Sequence, residues 1–320
     1  MTRLGYQIPN FTYPDTAPDA IFDCVVAQAK AAEAAGFDRV FVMDHFYQLP
    51  GIGTPDEPMF ECYAMLSALA QHTQRVRLSG LVTGNTYRNP ALLAKTLTTL
   101  DHVSHGRATL GIGCGWFQLE HDSLGFDFGT FTDRFERLEE ALQIIVPMLR
   151  SERPSLAGKH YRVTDAINSP APVSRIPIMI GGSGEKKTLR MVAQYADESN
   201  LTCPIDDIPR KLEALDAHCT RLGRDRSEIA VTKLMMIVVA PTREEAEADL
   251  AEIATRKGWN DKIMDGVRQQ LIFGDADSVG EEIARAMRLG LDGITADLPV
   301  NGHKPERIAL LAEVAHKAMG

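Results

Sequence analysis

Cysteine is scarce in this chain. Its 320 residues hold five, at Cys24, Cys62, Cys114, Cys203 and Cys219, odd in number and with no C-x-x-C pair. That spacing argues against a disulfide framework or a zinc site, so reduced thiols and no bound metal are expected. Long apolar runs are missing too: the longest, residues 234–240, falls far short of a bilayer span. The first residues carry no basic-plus-apolar signal, so a cytoplasmic protein with no membrane partner is expected. Positive charge is in the minority, with 34 Lys and Arg against 43 Asp and Glu, a net charge of −9. No basic stripe stands out to neutralise phosphates, which argues against nucleic acid as the main partner. A local basic pocket for an anionic cofactor is not excluded. Repeats, low-complexity tracts and an interdomain linker are also absent, so residues 1–320 read as one domain.

What the chain does have is alternation. Residues 4–8, 39–43, 76–82, 108–113, 176–180, 198–202, 229–240 and 293–297 read as strands. Helical patterns at 18–35, 61–72, 90–104, 132–150, 185–196, 209–222, 242–257, 278–289 and 305–318 separate them. The clearest is 132–150, with Leu138, Ala141, Leu142, Ile145, Val146 and Leu149 at helical spacing. Residues 151–175 are rich in proline and polar side chains, with one short strand-like piece at residues 160–163, and read as an insertion or lid between strands 4 and 5. Residues 260–275 show no clear period. Eight strands alternating with helices make an α/β protein, and eight is the number that closes a (β/α)8 TIM barrel. A doubly wound sheet usually carries a Gly-rich turn after its first strand; here that turn is IPNFTYP.

In such a barrel the chemistry gathers at the C-terminal ends of the strands. Those ends carry Gln7, Asp44-His45, Gly80-Leu81, Cys114-Gly115-Trp116 and Gly181-Gly182-Ser183-Gly184. The stretch RVFVMDHF, residues 39–46, is a buried-looking strand that stops at an acid and an imidazole. Histidine titrates near neutrality and can move a proton at a pocket mouth. The alternative is a hydrogen-bonded pair closing a loop; the strand-end position favours function. In MIGGSGEKKTLR, residues 179–190, a strand runs through glycines into a helix, a form that suits an anion. Lys186, Lys187 and Arg190 could add charge, although the pattern matches neither nucleotide motif. GIGCGWFQLE, residues 111–120, offers small residues against which a flat ring could lie, and Trp116 either walls the pocket or packs a loop. Cys114 has no evident activator and reads as a small pocket residue. His102 and His105 in DHVSH read as a helix-end feature rather than metal ligands.

Together MDHF, GLVTGNTYRNP, GIGCGW and IPIMIGGSGEKKTLRMVAQYAD resemble the bacterial luciferase-like superfamily. Within it, the chain resembles the actinobacterial branch that uses the deazaflavin coenzyme F420. The resemblance runs nearly end to end. It implies a (β/α)8 barrel, a flavin or deazaflavin over the C-terminal mouth, and a homodimer. It also implies a non-proline cis peptide after strand three, by position at Gly80–Leu81. By the same carry-over Asp44, Gly80, Leu81, Thr83, Cys114 and Gly115 would contact the cofactor, and Gly181, Gly182, Ser183 and Gly184 would hold its phosphate. His45 resembles the acid/base histidine of the deazaflavin-dependent dehydrogenases. Members that oxidise a sugar phosphate place a glutamate where this chain has Trp116, so the expected mouth is more apolar.

The expected function is therefore hydride transfer between coenzyme F420 and a small organic alcohol, carbonyl or activated alkene, with His45 and Trp116 as catalytic candidates. Basic groups near the mouth, such as Arg88, would suit the anionic tail of the deazaflavin. The alternatives are an FMN-dependent monooxygenase on the same barrel and a non-catalytic flavin-binding protein.

Overall fold

A computed structural model describes residues 3–320. Eight strands stand at its centre: β1 (Arg3–Ile8), β2 (Arg39–Val42), β3 (Arg77–Gly80), β4 (Leu110–Gly113), β5 (Ile178–Gly181), β6 (Glu198–Leu201), β7 (Ala230–Val239) and β8 (Gly293–Asp297). All neighbours run parallel, and β1 lies between β8 and β2. The ring closes between β3 and β4 through the bridge Leu78↔Ala108 and a two-residue strand, Thr83–Gly84, paired with Ile112 and Gly113. The barrel expected from the alternation is the fold observed.

Helices cover the outside because their apolar faces have only the strands to pack on. Helix Pro90–Val103 is opened by Asn89, whose side chain accepts from the Ala91 and Leu92 amides. Helix Phe131–Leu149 starts at a capping box of Thr130 and Asp133, and buries Leu138, Ala141, Leu142, Ile145 and Leu149. Helix Ile21–Ala35 stops at Gly36, at φ 92°. Among the described residues no helix is long and apolar enough to cross a membrane.

Some elements differ from the sequence reading. Helix Gln118–Leu124 was not anticipated, since seven residues are too few to show a period. The unassigned 260–275 stretch holds helix Asp261–Arg268, capped by Asn260, and strand Ile272–Gly274, which pairs with β7 outside the ring. Residues 151–175 form a small hairpin, Leu156–Ala157 with Arg162–Val163. Glu140 accepts the amides of Lys159, His160 and Tyr161 at 2.8–2.9 Å, and Asn168 Nδ2 donates to Thr98 Oγ1 and the Met148 carbonyl. These bonds tie the segment to two outer helices, and none of its residues lines the central cavity.

Inside the barrel, alternation along each strand builds layers. Tyr6, Val40, Leu78, Ile180, Met235 and Ala296 face the helices and join the main core. The residues between them face the barrel axis. At the bottom, the Arg39 guanidinium of β2 meets the Glu198 carboxylate of β6, both almost fully buried. Above them lie Phe41 and Met179, packed with Leu81, and Asn200 Nδ2, which donates to Thr232 Oγ1 (2.9 Å) and Thr295 Oγ1 (3.2 Å). The top layer opens into a cavity.

Candidate active site

The cavity, about 540 Å³, sits at the C-terminal ends of the strands and is lined mainly by apolar groups. It is of the size that holds a small-molecule or cofactor ring. Asp44, His45, Leu81, Thr83, Cys114, Gly115, Trp116, Gly181 and Gly182 line it, as the sequence reading expected. Gly80, Ser183 and Gly184 do not. Gly80 is still within β3 and faces Cys62 and Thr83, while the Ser183 hydroxyl turns away to accept the Thr202 amide at 2.8 Å.

His45 lies just beyond β2, mostly buried. Its Nδ1 is 3.0 Å from Glu120 Oε2. Glu120 is fully buried and was quoted at the end of GIGCGWFQLE without a role; only the fold brings it to the histidine. It also accepts the amides of Phe46 (2.5 Å) and Tyr47 (3.0 Å) and the Tyr87 hydroxyl. Burial pushes the Glu120 carboxyl up, but the bonds from His45, Tyr87 and the Tyr47 amide outweigh it and hold it below the usual glutamate range. A carboxylate only accepts, so it takes the Nδ1–H of His45, and the neutral ring then keeps its acceptor at Nε2. Trp116 and Phe117 stand edge-on to the imidazole at 5.7 and 5.8 Å. Trp116 is 60% exposed and forms part of the outer wall.

Asp44 points the other way along the same turn. Its Oδ2 accepts Arg88 Nη1 (2.6 Å) and the Gly84 amide (3.0 Å), and its Oδ1 accepts Arg88 Nη2 (2.9 Å). Asp44 thus pins the loop after β3, one of the two roles open to it from sequence. Arg88 also reaches Glu61. The expectation that Arg88 would meet an anionic tail is corrected here: its charge is buried and committed to two carboxylates. The non-proline cis peptide is Leu81–Val82, not Gly80–Leu81. Strand pairing explains the offset, since the Leu81 amide still donates to the Val42 carbonyl at 2.9 Å and the chain leaves the sheet only after it. The Val82 methyls then fit against Gly113 and Gly181, where an added Cβ would lie 2.8–2.9 Å from them.

The glycine turn after β5 continues to residue 187, and the helix begins at Thr188 rather than at 185. No side chain caps it, because Lys187 sits at the cap position. The Gly182 amide donates to the Asn200 carbonyl, while those of residues 183–187 meet no acceptor among the described residues. They are available to an anion. Lys187 lies over the Phe131 and Phe135 rings, and Arg190 is held bidentately by Glu139, so neither charge is aimed at the turn as expected. Lys186 is exposed.

Burial pushes the Cys114 thiol up, consistent with a packing role. His102 bonds the Ala171 carbonyl at 2.8 Å and helps hold the 151–175 segment. Among the described residues one set of acids and a histidine, Asp133, Glu136 and His160, is close enough to hold an ion; the Lys159 ammonium already bonds both carboxylates. Gln7, Asn200, Thr202, Met236, Gln270 and Asp297 also line the cavity. Only Gln7 was noted from sequence.

The mouth of the barrel therefore offers a slot for a flat ring between glycines, free amides for an anionic group, and an imidazole oriented by a buried glutamate beside them. The chain belongs to the luciferase-like monooxygenase family, whose sequence profile matches residues 2–315. Among relatives, an F420-dependent glucose-6-phosphate dehydrogenase of Microbacterium testaceum is 30% identical over 250 residues, covering 76% of this chain and 70% of that protein. Another, of Nakamurella multipartita, is 28% identical over 333 residues, covering 97% and 94%. Among solved structures, an F420-dependent secondary alcohol dehydrogenase in complex with an F420-acetone adduct superposes with a TM-score of 0.80. It is 20% identical, covering 100% of this chain and 99% of that one, a likeness that speaks for the fold.

Proposed function

We propose that the chain is a coenzyme F420-dependent oxidoreductase acting on a small, neutral organic substrate, an alcohol, carbonyl or activated alkene. The observation that carries this is the His45–Glu120 pair beside an apolar cavity. The residues present fit the cofactor. The Val82 methyls in the Gly113–Gly181 slot offer a flat apolar support, and the free amides of residues 183–187 suit its phosphate. When bound, the deazaflavin would supply two-electron hydride chemistry.

His45 Nε2 would take the proton of a substrate hydroxyl during oxidation, or give one to a carbonyl oxygen during reduction. Glu120 would keep the ring in the tautomer that leaves Nε2 available and would stabilise the imidazolium once formed. Trp116 would close the cavity against water. No lysine or arginine is among the described lining residues. That favours an uncharged substrate, because a phosphate or carboxylate here would lose its hydration without a counter-charge. We further propose a homodimer, as the resemblance to the family implies.

Two measurements test the reading. Fluorescence and absorbance titration of the purified protein should give tighter binding of coenzyme F420 than of FMN; preference for FMN would move the chemistry to oxygen. His45→Ala should then lower kcat by roughly 10²–10⁴ while the cofactor binds as before. Unchanged turnover would remove His45 from its role.

A further inference from the structure

One corner of the cavity is polar, and one of its members has a carboxyl oxygen with no partner among the described residues. Asp297 ends β8, where strand alternation puts Ile294 and Ala296 among the helices and Thr295 and Asp297 toward the barrel axis. It pairs in register with Gln7 of β1 and Met236 of β7, and all three line the cavity. Asp297 is 2% exposed, and its Oδ1 meets no hydrogen-bond donor among the described residues. Its neighbours are already committed: Gln7 Nε2 donates to the Leu81 carbonyl at 3.3 Å, and Asn200 to Thr232 and Thr295. A buried carboxyl oxygen without a partner is costly, and a ligand group that completes it recovers that cost.

Resting on the function proposed above, we infer that Asp297 is a binding residue that holds the lactam edge (O=C–N–H) of the cofactor ring as a neutral carboxylic acid. The acid's O–H donates to a ring carbonyl and its C=O accepts the adjacent N–H, so one side chain satisfies both halves of the edge. No proton is lost or gained overall.

Burial supports the neutral form, since it pushes the Asp297 carboxyl up to about 8 with no opposing cation. Tyr6 on β1 is the titratable group whose charge couples to it, and burial pushes that hydroxyl up as well. Gln7 and Met236 flank it without charge. Across the cavity Asp44 is paired with Arg88, which leaves His45, Tyr87 and Cys114 as the other titratable lining groups.

The test is coenzyme F420 affinity against pH, from about 6 to 10, for wild type, Asp297→Asn and Asp297→Ala, with infrared spectra of the ligand-free proteins. Wild-type affinity should be flat at low pH and weaken tenfold per unit above the carboxyl's titration. The asparagine variant presents the same donor and acceptor, so it should bind like wild type at low pH without the alkaline fall. Taking the ratio of the two removes any titration of the ligand or of His45. The alanine variant should bind about tenfold more weakly at low pH. A protonated-carboxyl carbonyl band at neutral pH should be absent from both variants. Identical pH profiles for wild type and Asp297→Asn, or wild-type affinity in Asp297→Ala, would overturn the inference and leave the cofactor assignment standing. No F420 binding by wild type at any pH would overturn the cofactor assignment, and the inference with it.

Discussion

At the scale of single residues, the site depends on where two carboxylates place their charge. Asp44 spends its charge on Arg88 and a loop amide, and Glu120 spends its on an imidazole. The second arrangement is what a proton-transfer group needs, because it sets both tautomer and ring direction. Glu120→Gln keeps an acceptor for the Phe46 and Tyr47 amides but can donate to Nδ1 and reverse the tautomer. Turnover should fall by roughly 10²–10⁴, with the acid limb of its pH profile displaced and the melting temperature little changed. A profile identical to wild type would mean that Glu120 only braces the loop. Asp297 gives a stability prediction with a definite sign. Its folded carboxyl is raised to about 8, whereas an unfolded aspartate titrates near about 4. The folded protein therefore binds the extra proton between those values, and stability drains away as pH rises through that window. Asp297→Asn removes the loss, so in urea unfolding its advantage over wild type should grow from pH 5 to pH 8.5, reaching on the order of a few kcal/mol. A constant gap would show that the carboxyl does not titrate in that range.

At the scale of elements, strands act as delivery devices. The loop after β3 is set by the Leu81 amide bond to β2 and by Asp44 on the Gly84 amide, which together put Val82 against two glycines. At the far end of the barrel, the Arg39–Glu198 pair joins β2 to β6 out of water. Removing Glu198 takes from the buried Arg39 guanidinium the carboxylate that offsets most of its charge. Glu198→Ala should cost about 3–5 kcal/mol in chemical denaturation, and the double replacement Arg39→Met with Glu198→Leu should recover most of it. If the single variant unfolds like wild type, the pair contributes little. Strand identity and order could be read from apolar runs, and they hold. The start of the helix after β5 could not, because nothing in GGSGEKK marks where the turn ends.

At the scale of the whole molecule, the strands close into the expected barrel. Binding that favours the folded state must raise stability by mass action. Coenzyme F420 at about 100 times its Kd should add about 2.7 kcal/mol and lift the melting temperature by several degrees, with a smaller rise for FMN at the same concentration. Equal shifts would point to a site that does not discriminate between the rings.

The barrel, the family and the strand ends that line the cavity were legible in the sequence. Apolar period and strand-end position are local properties, and His45, Trp116, Gly181 and Gly182 each lie at the end of a readable strand. Tertiary structure alone decided the partners. Glu120 is 75 residues from His45, and Arg88 is 44 from Asp44, so no local pattern joins them. Asp297 ends the strand read at 293–297 and was given no role there. That its Oδ1 has no donor among the described residues follows from the register of β8 between β1 and β7, which exists only once the ring has closed.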